Sequence, residues 1–182
     1  MQRPRLRRRV PAYTGAGLQR ARHARKRRMN RPYAAIAARV PRAGDRAARL
    51  QTVADRLWDG LHATGVSWVG FYLHEGGDEL VLGPHRDKPA CSPIGLHGAC
   101  GTAWRNRRPL VVRDVLELGP NYIACDPRDR SEVVVPLLEP DGRCWAVLDL
   151  DSHAPAAFDE SDVAGLEQVL RAAGLTAAEP GQ

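Results

Sequence analysis

Four cysteines and a strand-borne set of carboxylates are the residues of this chain with chemistry to offer. Cys91, Cys100, Cys125 and Cys144 are separated by eight, twenty-four and eighteen residues, with no Cys-x-x-Cys pair and no common zinc spacing. Cys144 opens an apolar run and reads as buried packing. The other three stand at positions that read as loop. His97 lies between Cys91 and Cys100, but a metal site there would lack a knuckle to hold it. Three loop thiols in a reducing compartment point instead to attack and resolution through disulfides. On local physics Cys100 is the expected low-pKa thiol, because backbone N–H groups at a nearby helix start favour a thiolate.

The carboxylates come next. In Cys144–Asp151, alternation places Ala146, Leu148 and Leu150 on one face and Asp149 and Asp151 on the other. Aspartate is disfavoured in strands, so two on one face require solvent or a partner. The segment Glu139-Pro140-Asp141-Gly142-Arg143 reads as a tight turn back to the strand Glu132–Leu138. Glu132 then falls opposite Leu150 or Asp151, and a slip of one residue sends it to the other face. Opposite Asp151, it completes a trio able to bind an ammonium or a cation, or to hold a shared proton. The plain alternative is a solvated strand end. A second strand, 66–73, puts Trp68, Gly70 and Tyr72 on one face, with the glycine forming a slot for a small apolar group. Core packing is the ordinary explanation of such an aromatic pair.

These side chains need elements to position them. Leu50, Val53, Ala54, Leu57, Trp58 and Leu61 recur at helical spacing and predict an amphipathic helix over 46–62. Strands are expected at 66–73 and 79–83, joined at Gly76-Gly77-Asp78, and again at 109–113. A short helix is expected over 99–107. Asp159, Glu160 and Asp162 suit the start of a last helix, 160–173, with an apolar face of Val163, Leu166, Val169 and Leu170. The order predicts an α+β fold: a central, mostly antiparallel sheet with N- and C-terminal helices packed on one face.

The charge is divided along the chain. Of 27 Lys+Arg, 14 fall between Met1 and Gly44 with no acidic residue, whereas Asp45–Gln182 holds 13 against all 21 Asp+Glu. The net +6 therefore describes a basic arm attached to an acidic body, and gives no support to nucleic-acid binding. No run of eighteen apolar residues is present, which argues against a membrane span. The arm lacks the apolar middle of a secretory signal, and it contains no serine like those of transit peptides. The expected division is a basic, disordered extension over 1–28, a domain over 29–175 and a disordered tail over 176–182. Met29 is either the natural start or simply the residue that follows a loose tail.

Several segments, taken in order, resemble one family. They are Trp68-Val-Gly-Phe-Tyr-Leu73, Glu79-Leu-Val-Leu-Gly-Pro84, Ala90-Cys91, Ala99-Cys-Gly-Thr-Ala103, Ile123-Ala-Cys-Asp126, Ser131-Glu-Val-Val-Val-Pro136 and Val147-Leu-Asp-Leu-Asp-Ser152. From about Asn30 to Ala173 the chain is similar to the free methionine-R-sulfoxide reductases, which are single GAF domains. The resemblance implies reduction of free L-methionine-(R)-S-oxide in the cytoplasm by a homodimer. It makes Cys125 the attacking thiol, Cys91 the principal resolving thiol and Cys100 a second one. It also implies that thioredoxin returns the electrons, without bound cofactor or metal. Trp68 and Tyr72 then wall the substrate methyl group. Glu132, Asp149 and Asp151 handle its amino group and sulfoxide oxygen, Glu132 as proton donor. One departure stands out: the family usually has nine residues between the first two cysteines, and this chain has eight. A GAF domain that senses a small ligand without turnover is the alternative.

Overall fold

The register of one hairpin decides where the acidic side chains go. In the computed structural model, which describes residues 31–121 and 125–177, strands β5 (Ser131–Leu138) and β6 (Cys144–Ser152) pair antiparallel with Glu132 opposite Asp151. Of the two registers open in the sequence, this is the one that gathers the three carboxylates. β6 also pairs antiparallel with β1 (Trp68–Leu73), setting Trp68 opposite Asp151 and Gly70 opposite Asp149. The sheet is completed by β2 (Glu79–Arg86), a two-residue β3 (Ile94–Gly95) and β4 (Leu110–Val112), in the order β3-β2-β1-β6-β5-β4. Every pairing is antiparallel.

Among the described residues four α-helices dress this sheet: α1 (Tyr33–Ala37), α2 (Arg46–Leu61), α3 (Ala99–Asn106) and α4 (Glu160–Ala172). α2 starts at Asp45, whose side chain accepts from the Ala48 amide and so satisfies a donor the helix leaves open. Its predicted stripe is the buried one: Leu50, Val53, Ala54, Leu57 and Leu61 are core, and Trp58 is partly buried against it. Val163, Leu166, Val169 and Leu170 of α4 join the same core, against Val69, Phe71, Val133, Val135, Leu148 and Leu150 of the sheet. The terminal helices thus share one sheet face, as expected. Each fully buried Leu, Val or Phe stabilises this layer by roughly 1.5–3 kcal/mol. The opposite face carries α3, with Cys100 and Ala103 packed among Trp68, Tyr72, Val134 and Val147.

Three segments depart from the sequence expectations. β3 and α1 are too short to carry a periodic signal and appear only in the structure. Asp162 does stand in the first turn of α4, as expected. It is wholly buried, and it accepts from Arg31 Nη1 at 2.8 Å, from Tyr33 Oη at 2.9 Å and from the Asp159 amide at 2.9 Å. Thr176 and Ala177, expected to begin a disordered tail, pair with β5 instead: Thr176 Oγ1 accepts from the Leu138 amide and the Ala177 amide donates to the Leu138 carbonyl. The expected basic extension, 1–28, lies outside the described residues. Among the described residues no helix is long and apolar enough to cross a membrane.

Candidate active site

The site lies on the sheet face that carries α3, where β1, β5 and β6 present alternate side chains. The strand pairing brings one carboxylate oxygen each from Glu132, Asp149 and Asp151 within 4.8 Å of one another. Glu132 and Asp149 are buried, and Asp151 is partly exposed. Among the described residues, Glu132 Oε1 and Asp149 Oδ1 have no hydrogen-bond partner. Buried acceptors left this way are costly, so each requires a proton of its own or a ligand's donor. Burial and then the neighbouring Asp149 charge push the Glu132 and Asp151 carboxyls well above the ordinary carboxylate range, and burial pushes Asp149 up to about 7. At neutral pH the cluster therefore holds protons.

Trp68 and Tyr72 form the wall beside this floor, with ring centroids 6.1 Å apart. The slot expected at Gly70 is filled from within: the Trp68 ring lies on residue 70, where any β-carbon would overlap it. Glycine is required here for a close approach, made by the protein's own indole. Both aromatics also use their polar ends on one loop. Trp68 Nε1 donates to the Lys88 carbonyl at 2.9 Å, and Tyr72 Oη donates to the Cys91 carbonyl at 3.0 Å. They hold the Cys91 segment over a cleft of about 420 Å³ that Cys125, Glu132, Asp149 and Asp151 also line.

Cys91 and Cys125 are exposed free thiols at the cleft mouth, near enough for Cys91 to act on the Cys125 thiol, and Tyr72 Oη, which donates to the Cys91 carbonyl, lies 4.0 Å from Cys125 Sγ. The shortened Cys91–Cys100 spacing does not keep them apart. Partial burial and the Cys91 thiol push Cys125 up to about 12, so it rests as a neutral thiol. Cys100 corrects two expectations. It stands in the first turn of α3 rather than in a loop, and it is buried. Burial, Asp149 and Glu132 push its thiol well above the ordinary value. A helix start offers about half a unit charge, and desolvation beside carboxylates overrides it. Cys144 is buried as expected, and its thiol donates to the Ala146 carbonyl at 3.2 Å. His97 is exposed and lies over Gly95. Among the described residues the groups with metal-ligand spacing contain neither His97 nor a cysteine.

Sequence reasoning missed a second polar cluster. Asp126 is buried beside Cys125, with Lys88 Nζ at 2.6 Å and Arg128 Nη2 at 2.8 Å. Asp129 accepts from Ser67 Oγ at 3.1 Å, and His153 Nε2 lies 3.6 Å from both aspartates. Two aspartates three apart, directly after a reactive cysteine, were the available signal.

Residues 45–176 match the GAF domain family. The chain belongs to that family. Within it, the chain groups with the free methionine-R-sulfoxide reductases. It is 40% identical over 109 residues to the protein of that name from Escherichia coli (59% of this chain, 64% of that one). It is 38% identical over 112 residues to the one from Saccharomyces cerevisiae (60% and 62%). The fRMsr of Staphylococcus aureus, solved in complex with substrate, superposes with a TM-score of 0.70 at 35% identity, covering 80% of this chain and 96% of that one. The chain thus spans somewhat under two thirds of the length of these two curated relatives.

Proposed function

We propose that the protein reduces free L-methionine-(R)-S-oxide to L-methionine. The observation that carries this reading is that one cleft is lined by Cys125, the Trp68–Tyr72 wall and the Glu132, Asp149 and Asp151 carboxyls, with Tyr72 Oη bonded to the Cys91 carbonyl and 4.0 Å from Cys125 Sγ. Cys125 sulfur adds to the sulfoxide sulfur while a carboxylic acid, Glu132, protonates the sulfoxide oxygen and the Cys125 thiol proton replaces the one Glu132 gives up. The hydroxyl then passes to Cys125 as the new sulfur–sulfur bond breaks, so methionine leaves and Cys125 is left as a sulfenic acid. The Cys91 thiol then forms the Cys91–Cys125 bond and expels that oxygen as water. Two thiols thus supply the two electrons that the sulfoxide takes up.

The wall of Trp68 and Tyr72 receives the substrate methyl group. Glu132, Asp149 and Asp151 receive its ammonium, which explains a preference for the free amino acid over a peptide-bound residue. Thioredoxin restores the dithiol in the cytoplasm, so no bound cofactor or metal is required, and the chain works as a homodimer. The test is methionine release from free methionine-R-sulfoxide with thioredoxin and its reductant, and from Cys125→Ser in one turnover. Release by the parent protein and none by the variant is expected. No release with all thiols reduced would move the assignment to a ligand-sensing GAF domain, and normal release by Cys125→Ser would remove that residue as attacker.

A further inference from the structure

Of the three cysteines the sequence marks as reactive, Cys100 is the one the proposed cycle does not use, and its surroundings differ from those of the other two. It follows Gly98 and Ala99 at the start of α3, is 6% exposed, and points at the acid cluster: its Sγ lies 3.4 Å from Asp149 Oδ2. The turn that carries it has little freedom, because a β-carbon on the next residue, Gly101, would overlap the Leu96 backbone. Asp149 in turn depends on this contact. Among the described residues the Cys100 thiol is its side chain's one hydrogen-bond donor, since Oδ1 is buried without a partner. Asp151 and Glu132 lie nearby, but among the described residues neither makes a hydrogen bond to Asp149, and Gly70 opposite it has no side chain.

We propose that Cys100 is a positioning residue and not a redox thiol: its S–H donates to Asp149 Oδ2 and fixes that carboxylate within the acid cluster. The inference rests on the reductase reading for its consequence in turnover, but not for the contact itself. A neutral donor does this task best, and the burial that disfavours a Cys100 thiolate keeps the proton in place. Cys91, exposed like Cys125 and joined through its carbonyl to the Tyr72 hydroxyl beside Cys125, is left as the resolving thiol. The groups facing Asp149 are Cys100 from α3, Tyr72 from β1, Glu132 from β5, Asp151 from β6, and Asp129 and Cys125 from the loop before β5. Of these, Cys100 is the one that favours the charged form of Asp149 by donating to it.

Cys100→Ala and Cys100→Ser separate the two roles, because serine keeps a donor and loses the sulfur. The alanine variant is expected to lose about tenfold in kcat/KM, the scale of one hydrogen bond to a charged group. Its alkaline limb should move upward as Asp149 loses a donor, and Cys100→Ser should restore both. Peptide mapping after one turnover should find Cys91 joined to Cys125 and Cys100 free. A serine variant as impaired as alanine, or a disulfide that includes Cys100, would overturn the proposal. Carboxyl ¹³C shifts of labelled aspartate follow Asp149 without turnover: its titration should rise in Cys100→Ala and return in Cys100→Ser. An unchanged titration in Cys100→Ala sinks the positioning role even if the protein reduces sulfoxide. An inactive parent with the shifted titration sinks the reductase reading alone. Should Cys100→Ala fail to fold, the serine titration and the mapped disulfide still decide.

Discussion

Lys88 Nζ lies 2.6 Å from Asp126 Oδ2, so one ion pair ties the segment leading into Cys91 to the residue that follows Cys125. Arg128 and Lys88 together hold the Asp126 carboxyl well below the ordinary carboxylate range. Two cysteines bridge only when their Cα atoms come within about 7 Å, and this pair keeps the two segments in reach of each other. Lys88→Ala is expected to slow closure of the Cys91–Cys125 disulfide about fivefold, the size of effect a partly exposed ion pair supports. Free-thiol counts by mass spectrometry after a single turnover measure it. Closure at the parent rate would leave the ion pair without a part in resolution.

Glu132→Gln keeps the shape of the floor but removes its proton. General-acid catalysis is typically worth 10²–10⁴-fold, so kcat/KM should fall at least about a hundredfold. Methionine release followed by chromatography reads this directly, and turnover at the parent rate would take Glu132 out of the mechanism.

The same carboxyls set a pH dependence for activity and for stability. Asp149 sits at about 7, with Glu132 and Asp151 also well above their ordinary values, all chiefly through burial. The donor form is protonated, so kcat/KM should decline as pH rises through about 7 and beyond. For stability, the folded chain keeps protons that the unfolded chain releases near pH 4. The stabilisation is complete below that pH and is lost as pH climbs through the raised values. Melting curves should therefore show a lower Tm at pH 8 than at pH 5. Asp149→Asn should narrow that gap, and an equal gap in the variant would remove Asp149 as a contributor.

Gly70→Ala tests the packing of the aromatic wall. The new methyl group collides with the Trp68 ring, which has to swing into the space meant for substrate. KM should rise about tenfold while overpacking lowers stability by about 1–3 kcal/mol. Steady-state kinetics and a urea melt check the two effects separately, and an unchanged KM would mean the ring can move elsewhere.

Asp162→Ala addresses the fold. Arg31 is 2% exposed in its side chain and Asp162 is 0% exposed, so removing the carboxylate leaves a buried cation unpaired. Breaking such a pair costs about 3–5 kcal/mol, and for a chain of this size that lowers Tm by roughly 10 °C. A Tm within two degrees of the parent would show that Arg31 finds water instead.

What the sequence made readable follows from what is local. Strand parity placed Asp149 and Asp151 on one face, and helical spacing marked the buried side of α2, because both periods are properties of the chain itself. Glu132 was readable only to one residue, since turn geometry fixes register and a slip of one inverts the face. The orientation of Cys100 was beyond reach. It depends on α3 docking against β6, where desolvation and a carboxylate outweigh the helix start. The Lys88–Asp126 pair and the indole lying on Gly70 are likewise products of tertiary packing, with no periodic trace in the sequence.

The alternation along β1, β5 and β6 has a consequence for how such a protein can change. Val69, Phe71, Val133, Val135, Leu148 and Leu150 face the helices, while Trp68, Gly70, Tyr72, Glu132, Asp149 and Asp151 face the cleft. Neighbours in sequence thus answer to different selection. One set is tuned for holding the chain together, the next for what the cleft accepts, and the backbone lies between them as a partition. New specificity can be explored at every second residue with the core left intact, provided the hairpin turn never shifts the register by one.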